Sequence, residues 1–276
     1  MREIFQTFIR RPAGIVGLVL LGLVGLVAAL APVVYPASPW EITGLPFTRP
    51  MENGMLLGSD TLGRDVASGV MHGARVSLLI GVASTLAALL IGVTLGAIAG
   101  FAGGLVDLAI VRTTEIFQTI PNFVLAILLV AILTPSLPTI ILAIGLVSWP
   151  PLARLTRAQV RSVSQREFVQ AARCQGQSAA SVLLRHVLPN AVSPIIVTAS
   201  LTVAAAILIE AALSFMGLGD PNYMSWGYMV GAGRTVIRQA WWMSVFPGIA
   251  ILITVVAINL AGEALNDALN PRILRS

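Results

Sequence analysis

Residues 166–190 read REFVQAARCQGQSAASVLLRHVLPN, a polar, arginine-rich segment lying between long apolar runs. In a chain with so little other polar material, such a segment stands in water and meets something. It divides into two short helices. Ser164 and Glu167 have the S-x-x-E spacing of a capping box, in which two side chains take up free backbone N–H groups at a helix start. Gly176 supplies a residue at ease in the left-handed conformation that ends the helix. Ser178 is placed to cap a second helix, and Pro189, which has no N–H, is expected to end it. Phe168, Ala171, Ala172 and Gln175 fall on one face of the first helix by the i, i+3, i+4, i+7 rule. A bulky knob between small flanks suits a groove on a partner.

The rest of the chain belongs in a bilayer. Of 276 residues, 57% are hydrophobic and 11% charged, and the mean hydropathy is +0.89. That is too little polar surface to clothe a soluble globule of this size. The pI near 10.6 would suggest nucleic acid in a soluble domain. In a membrane protein it records arginines held on the cytoplasmic side, and no nucleic-acid partner is expected. All 17 basic side chains are arginine, which we ascribe to codon usage in a GC-rich genome. The single cysteine, Cys174, excludes an intrachain disulfide framework and reads as a structural thiol.

Six spans of the length that crosses a hydrocarbon core fall at residues 15–34, 76–100, 106–133, 139–155, 192–215 and 245–265. The third carries Asp107, Arg112 and Glu115 near its start and Pro121 inside it, so its first turns are expected at the cytoplasmic interface or against protein. The first follows Arg2, Arg10 and Arg11 and ends near an A-x-A pattern. It is too long for a signal peptide and is followed by further spans, so it reads as a retained anchor. With the N-terminus inside, only Arg49, Arg64, Arg75, Arg234 and Arg238 face outward, and the other arginines face the cytoplasm with both termini. Ser59 and Ser225 then lie on the outer side. Tyr35 to Arg75 and Gly217 to Ser244 form the two longest external segments, which hold Trp40, Trp226, Trp241 and Trp242.

No G-x-x-x-x-G-K-[ST] phosphate loop is present, so the chain does not cradle ATP by that route. His72 and His186 are the only histidines and are expected on opposite sides, leaving no pair for zinc or catalysis. His186 reads most simply as a packed or helix-terminal residue. Asp60 and Asp65 flank Gly63-Arg64 without the alternating oxygen ligands of a calcium loop. A capping Asp60 and an Asp65–arginine pair account for them. Glu210 is the sharpest intramembrane polar residue, because a carboxylate there is costly unless paired, hydrated or protonated. It either lines a translocation path or bonds to a neighbouring helix near the outer interface, and the second reading is preferred. Asn259 in the last span is a candidate for the path or for a hydrogen bond between helices.

The spacing of Ala171-Ala172, Gly176 and Leu188-Pro189 resembles the cytoplasmic EAA loop of ABC importer permeases, and EFVQAAR followed by RHVLPN is similar to the peptide and nickel branch of that family. Gln170 stands where the loop's first glutamate is usual, with Glu167 one turn away, and Cys174 replaces a small apolar residue. Further resemblance lies in Leu57-Gly58-Ser59-Asp60, Leu62-Gly63-Arg64-Asp65 and Gly73-Ala74-Arg75-Val76-Ser77-Leu78. It continues through Leu213-Ser214-Phe215-Met216-Gly217-Leu218-Gly219, Ser225-Trp226-Gly227, Phe246-Pro247-Gly248 and Asp267-Ala268-Leu269-Asn270-Pro271-Arg272. Only the opening residues and the stretch 36–55 lack a distinctive match.

The resemblance implies an all-helical, polytopic inner-membrane permease of the type I importer kind, the second or C-type subunit of its pair. Residues 1–14 would form a cytoplasmic segment, 15–75 the first span and an extracytoplasmic segment, and 76–276 the permease core with its coupling loop at about 156–190. Within that loop Glu167, Phe168, Gln170, Ala171, Ala172, Arg173, Gly176 and Ser178 would meet the ATPases, while Asp60, Gly63, Arg64 and Asp65 belong to the extracytoplasmic motif. The implied partners are a second, homologous permease, two ABC ATPase subunits, an extracytoplasmic solute-binding protein and the lipid bilayer. ATP and Mg would be used by the ATPases, with no cofactor or metal on this chain. Di- and oligopeptides are the expected cargo, with nickel chelates, glutathione and opines as alternatives. An ion-gradient-driven transporter or channel and a nonconducting scaffold are the rival classes; neither accounts for a docking loop.

Overall fold

The computed structural model describes Phe8 and residues 11–269, and the Asn270-Pro271-Arg272 end of the last motif and most of segment 1–14 lie outside them. The described chain is built of helices: α1 (Pro12–Val34), α2 (Val66–Ala102), α3 (Gly104–Thr119), α4 (Asn122–Leu133), α5 (Leu137–Ser164), α6 (Glu167–Cys174), α7 (Ala179–Val182), a π-helical segment (Leu183–Val187), α8 (Leu188–Phe215), α9 (Trp226–Gly233) and α10 (Trp242–Leu269). Five continuous stretches are long and apolar enough to cross a membrane: α1, α2, α5, Ala179–Phe215 and α10. The third expected span is instead two helices, α3 and α4, bent by 84° at Ile120 and Pro121. Pro121 cannot donate into a helix and holds its neighbour extended, with Ile120 at φ −96°, ψ 129°.

The tightest seam joins α2 to α5. Gly92, Gly96 and Gly100 lie on one face of α2 at four-residue intervals. A Cβ at Gly92 would stand 2.8 Å from Leu152 Cβ and one at Gly100 2.6 Å from the Arg157 carbonyl, while at Gly96 it would run into the Ala153 carbonyl. The two backbones therefore approach as only glycine allows, which is how helices gain contact where lipid removes the hydrophobic drive between them. The spacing was visible in the sequence as a small-x-x-x-small series.

α1 packs on α10, with Ala257, Leu260 and Ala261 against Gly17. At the end remote from α6, residues 35–65 fold into a compact cap. Ser59, wholly buried, accepts from Thr48 N at 2.8 Å and donates to the Leu45 carbonyl at 2.6 Å, and its own carbonyl takes the Trp242 indole N–H at 3.0 Å. Ser225 is buried as well, so neither serine offers an accessible labelling position; Met51, 78% exposed, does.

Candidate coupling and translocation sites

α5 ends at Ser164, and α6 begins three residues later at Glu167, with Arg166 at its N-cap and no side-chain cap. The capping box is not formed. Ser164 is still helical, and its buried hydroxyl has no partner. Gln170 takes over the junction by donating Nε2 to the Ser164 carbonyl at 3.1 Å. A glutamate there could only accept, so this bond belongs to the glutamine. Glu167, exposed in the first turn of α6, stands at the favourable end of the helix dipole.

α6 has two unlike faces. Val169 and Ala172 are buried with Ala97, Val160, Val163, Val182, Val187 and Ala191, and Arg173 lays its guanidinium 5.0 Å over the Phe101 ring at the end of α2. Phe168, 42% exposed, Ala171 and Gln175 face away from that seam. Ala172 therefore belongs to the anchoring face, and the free knob is the i, i+3, i+7 set without it. Cys174 is exposed beside it.

Gly176, at φ 77°, ends α6 in a Schellman turn: its N–H donates to the Arg173 carbonyl and that of Gln177 to the Ala172 carbonyl. Ser178 caps α7, accepting from Ser181 N at 3.4 Å. The second helix does not stop at Pro189. Leu188 N–H reaches back five residues to the Leu183 carbonyl, and the widened π turn carries Pro189 into the first turn of α8, where its missing N–H costs least. Asn190 Nδ2 bonds the His186 carbonyl at 2.8 Å, and the His186 ring meets Gln177 Oε1 at 2.8 Å. The second short helix and the next span are thus one helical run from Ala179 to Phe215.

Near the same end, Asp107 of α3 and Arg157 of α5 form a two-pronged ion pair through Arg157 Nε and NH2. Sequence reading placed Asp107 but not its partner fifty positions away, and no local pattern would have named it.

At the other end Glu210 is 1% exposed. Its Oε1 accepts from Ser214 Oγ at 2.7 Å and Ser225 Oγ at 2.6 Å, while Oε2 has no partner. Ser225 also caps α9, accepting from Tyr228 N at 3.0 Å, and Trp226 ties that helix to α2 through Ser77 Oγ and the Val70 carbonyl. Asn259 is exposed on α10 and makes no hydrogen bond among the described residues.

The roles expected of the two aspartates are exchanged. Asp60 pairs with Arg64 at 3.3 Å, its Oδ1 also taking the N–H groups of Leu62 and Arg64, and Asp65 caps α2 by accepting from Ala67 N at 2.8 Å. Arg64 also lies 5.0 Å over the Trp40 ring. Burial pushes the Asp65 carboxyl above the usual range, against the backbone N–H groups that lower it. Gly63, at φ 85°, lets the Gly44 carbonyl approach where a Cβ would sit. Among the described residues no group of three or more potential ligands could hold a metal.

Residues 92–275 match the model of the binding-protein-dependent transport system inner membrane component, and residues 1–47 that of the N-terminal transmembrane domain of oligopeptide transport permease C. The chain belongs to this permease family. It is 41% identical over 280 residues to the di/tripeptide transport system permease protein DppC of Pseudomonas aeruginosa, covering 99% of this chain and 92% of that protein. To the dipeptide transport system permease protein DppC of Alkalihalophilus pseudofirmus it is 38% identical, covering 99% and 90%. A chain from inward-facing structures of the MetNI methionine ABC transporter superposes with a TM-score of 0.60 at 17% identity, over 75% of this permease and 95% of that chain, a likeness of fold. The permease is thus a multi-pass inner-membrane subunit of an ABC importer, with the all-helical type I architecture.

Proposed function

We propose that this permease pairs with a second, homologous permease, two cytoplasmic ATPases and an extracytoplasmic solute-binding protein to import di- and oligopeptides at the expense of ATP. The observation that carries the coupling role is the division of α6: a buried seam of Val169 and Ala172 that fixes the helix to α2 and α5, and an outward Phe168, Ala171 and Gln175 face with no occupant among the described residues. With α6 docked in an ATPase groove, closure of the ATPases moves a helix that is packed on the spans and followed, past the Schellman turn, by the run into α8. Energy enters as preferential stabilisation of one of two states, outward-facing or inward-facing. ATP and Mg are handled by the partner subunits, since this chain has no phosphate loop. Both termini and α6 lie in the cytoplasm, in keeping with the arginine distribution. The peptide cargo is supported by the names of the two relatives, and Glu210 acts as a structural tie between α8 and α9.

Reconstitution tests this reading. Proteoliposomes holding the four membrane and ATPase subunits, supplied with the binding protein, are expected to accumulate a labelled dipeptide only with ATP. Uptake driven by an ion gradient without ATP would overturn the coupling scheme, and ATP-dependent uptake of a nickel chelate but no peptide would overturn the cargo.

A further inference from the structure

A cleft of about 500 Å³ opens at the end of the permease remote from α6, between the segment after α1, the first turns of α2 and the segment before α9. Its polar groups are unevenly committed. His72 Nε2 is engaged with the Tyr35 carbonyl at 3.0 Å, and Asn222 donates its side-chain amide to Asp220 at 3.1 Å. Arg75 is exposed and, among the described residues, makes no ion pair and no hydrogen bond. No acidic residue lines the cleft. Of the carboxylates on adjoining segments, Asp60 is occupied with Arg64, Asp65 with the start of α2, and Asp220 with Leu137 N and Asn222, while Glu41, next to Trp40, is exposed and lines a separate cleft with Asp65. An unpaired guanidinium is therefore set in a concave site that also offers Trp40, Leu79 and Met224 as apolar wall.

What lies beyond Arg75 gives the cleft a direction. The exposed line of α2 continues as Leu79, Val82, Leu86, Leu90 and Thr94, with no charge on it. It leads to an apolar trough of about 850 Å³ between α2 and α8 near the coupling end, lined by Leu90, Thr94, Pro189, Val192 and Ile196. Arg75 is the one cation on this track, at its mouth. A guanidinium fork matches a carboxylate in two parallel hydrogen bonds, and a site of this volume with few polar groups is of the size that holds a small solute.

We propose that the cleft at Arg75 is an anion-receiving subsite, which takes the carboxylate of a peptide-class solute on Arg75 and its apolar side chain on the Trp40 and Leu79 wall. This rests on the importer reading above. A lipid phosphate offers the same anionic chemistry from another source, and the experiment separates the two.

The assembled complex in nanodiscs, carrying Leu79→Cys in a Cys174→Ser background, is labelled with a thiol reagent while the dipeptide Ala-Phe or its C-terminal amide is titrated in. Ala-Phe should slow labelling and its amide should not. Arg75→Gln should raise the half-protecting concentration roughly tenfold, the scale of one charge-assisted hydrogen bond, and Arg75→Lys should retain part of the protection. Equal protection by acid and amide, or protection unchanged in Arg75→Gln, would overturn the subsite. So would labelling that responds to phosphatidylglycerol in the nanodisc and not to dipeptide, which assigns Arg75 to a lipid headgroup. Wild-type uptake reports on the importer reading separately: transport without protection fails the cleft alone, and protection without transport fails the importer reading alone.

Discussion

Glu210 shares a single carboxylate oxygen between two serine hydroxyls, one a turn ahead on its own helix and one at the cap of α9. Its cost within the bundle is offset in part, at Oε1 only, by groups that could not be named from spacing alone, since Ser225 is 15 residues away in the chain. Glu210→Gln keeps the shape and an acceptor oxygen, so complex yield and most uptake should be preserved. Glu210→Leu strands both hydroxyls at about 1 to 3 kcal/mol each and should lower the yield of assembled complex. Normal yield with abolished uptake for Glu210→Gln, measured side by side, would instead make it a path residue. The Asp60 and Asp65 pair was legible as structural, but its division of labour was not: which acid caps depends on the helix beginning at Val66, and the sequence signals nothing that fixes that start. Gln170 was read as a lost glutamate, whereas its amide makes a bond a carboxylate could not.

Helix identity was legible where the requirement was local. Gly176 had to be left-handed for α6 to end, and it is; Ser178 caps as its position suggests. Pro189 misled because its rule concerns the α register, and a π turn shifts the register just before it. The break at Pro121 was not anticipated, because the apolar run 106–133 is long enough for one span and the proline's effect on it depends on the packing around it. α9 carries no periodicity long enough to announce a helix in eight residues. The glycine series of α2 was legible and yields a sharp expectation. Gly96→Leu forces a side chain into the Ala153 backbone, an overpacking worth about 1 to 3 kcal/mol or more, and should lower the thermal midpoint of the purified complex. Gly22→Leu on α1, where a Cβ meets nothing within 4 Å, serves as the control and should leave the midpoint unchanged. Equal midpoints for the two variants would remove the seam's importance.

At the scale of the whole permease, each end carries a position reachable by thiol chemistry. Cys174 is exposed on α6 and, if α6 is cytoplasmic as proposed, should react with an impermeant thiol reagent only after that side is opened. Met51→Cys in a Cys174→Ser background should label in intact cells; labelling of Met51→Cys only after permeabilisation would invert the topology. The membrane class and the break between the two short helices at Gly176 were readable from composition and a few spaced residues, because lipid and a helix-ending glycine impose strict local demands. The contacts that join distant elements were not, because nothing local marks Arg157 for Asp107 or Ser225 for Glu210. In the proposed scheme the Phe168 face of α6 passes ATPase motion to the spans. The direct test is the initial rate of ATP-dependent dipeptide uptake in proteoliposomes with Phe168→Asp. The rate should fall roughly tenfold or more, the loss of one interface anchor, with the two permeases still assembled. Uptake at the wild-type rate would contradict it.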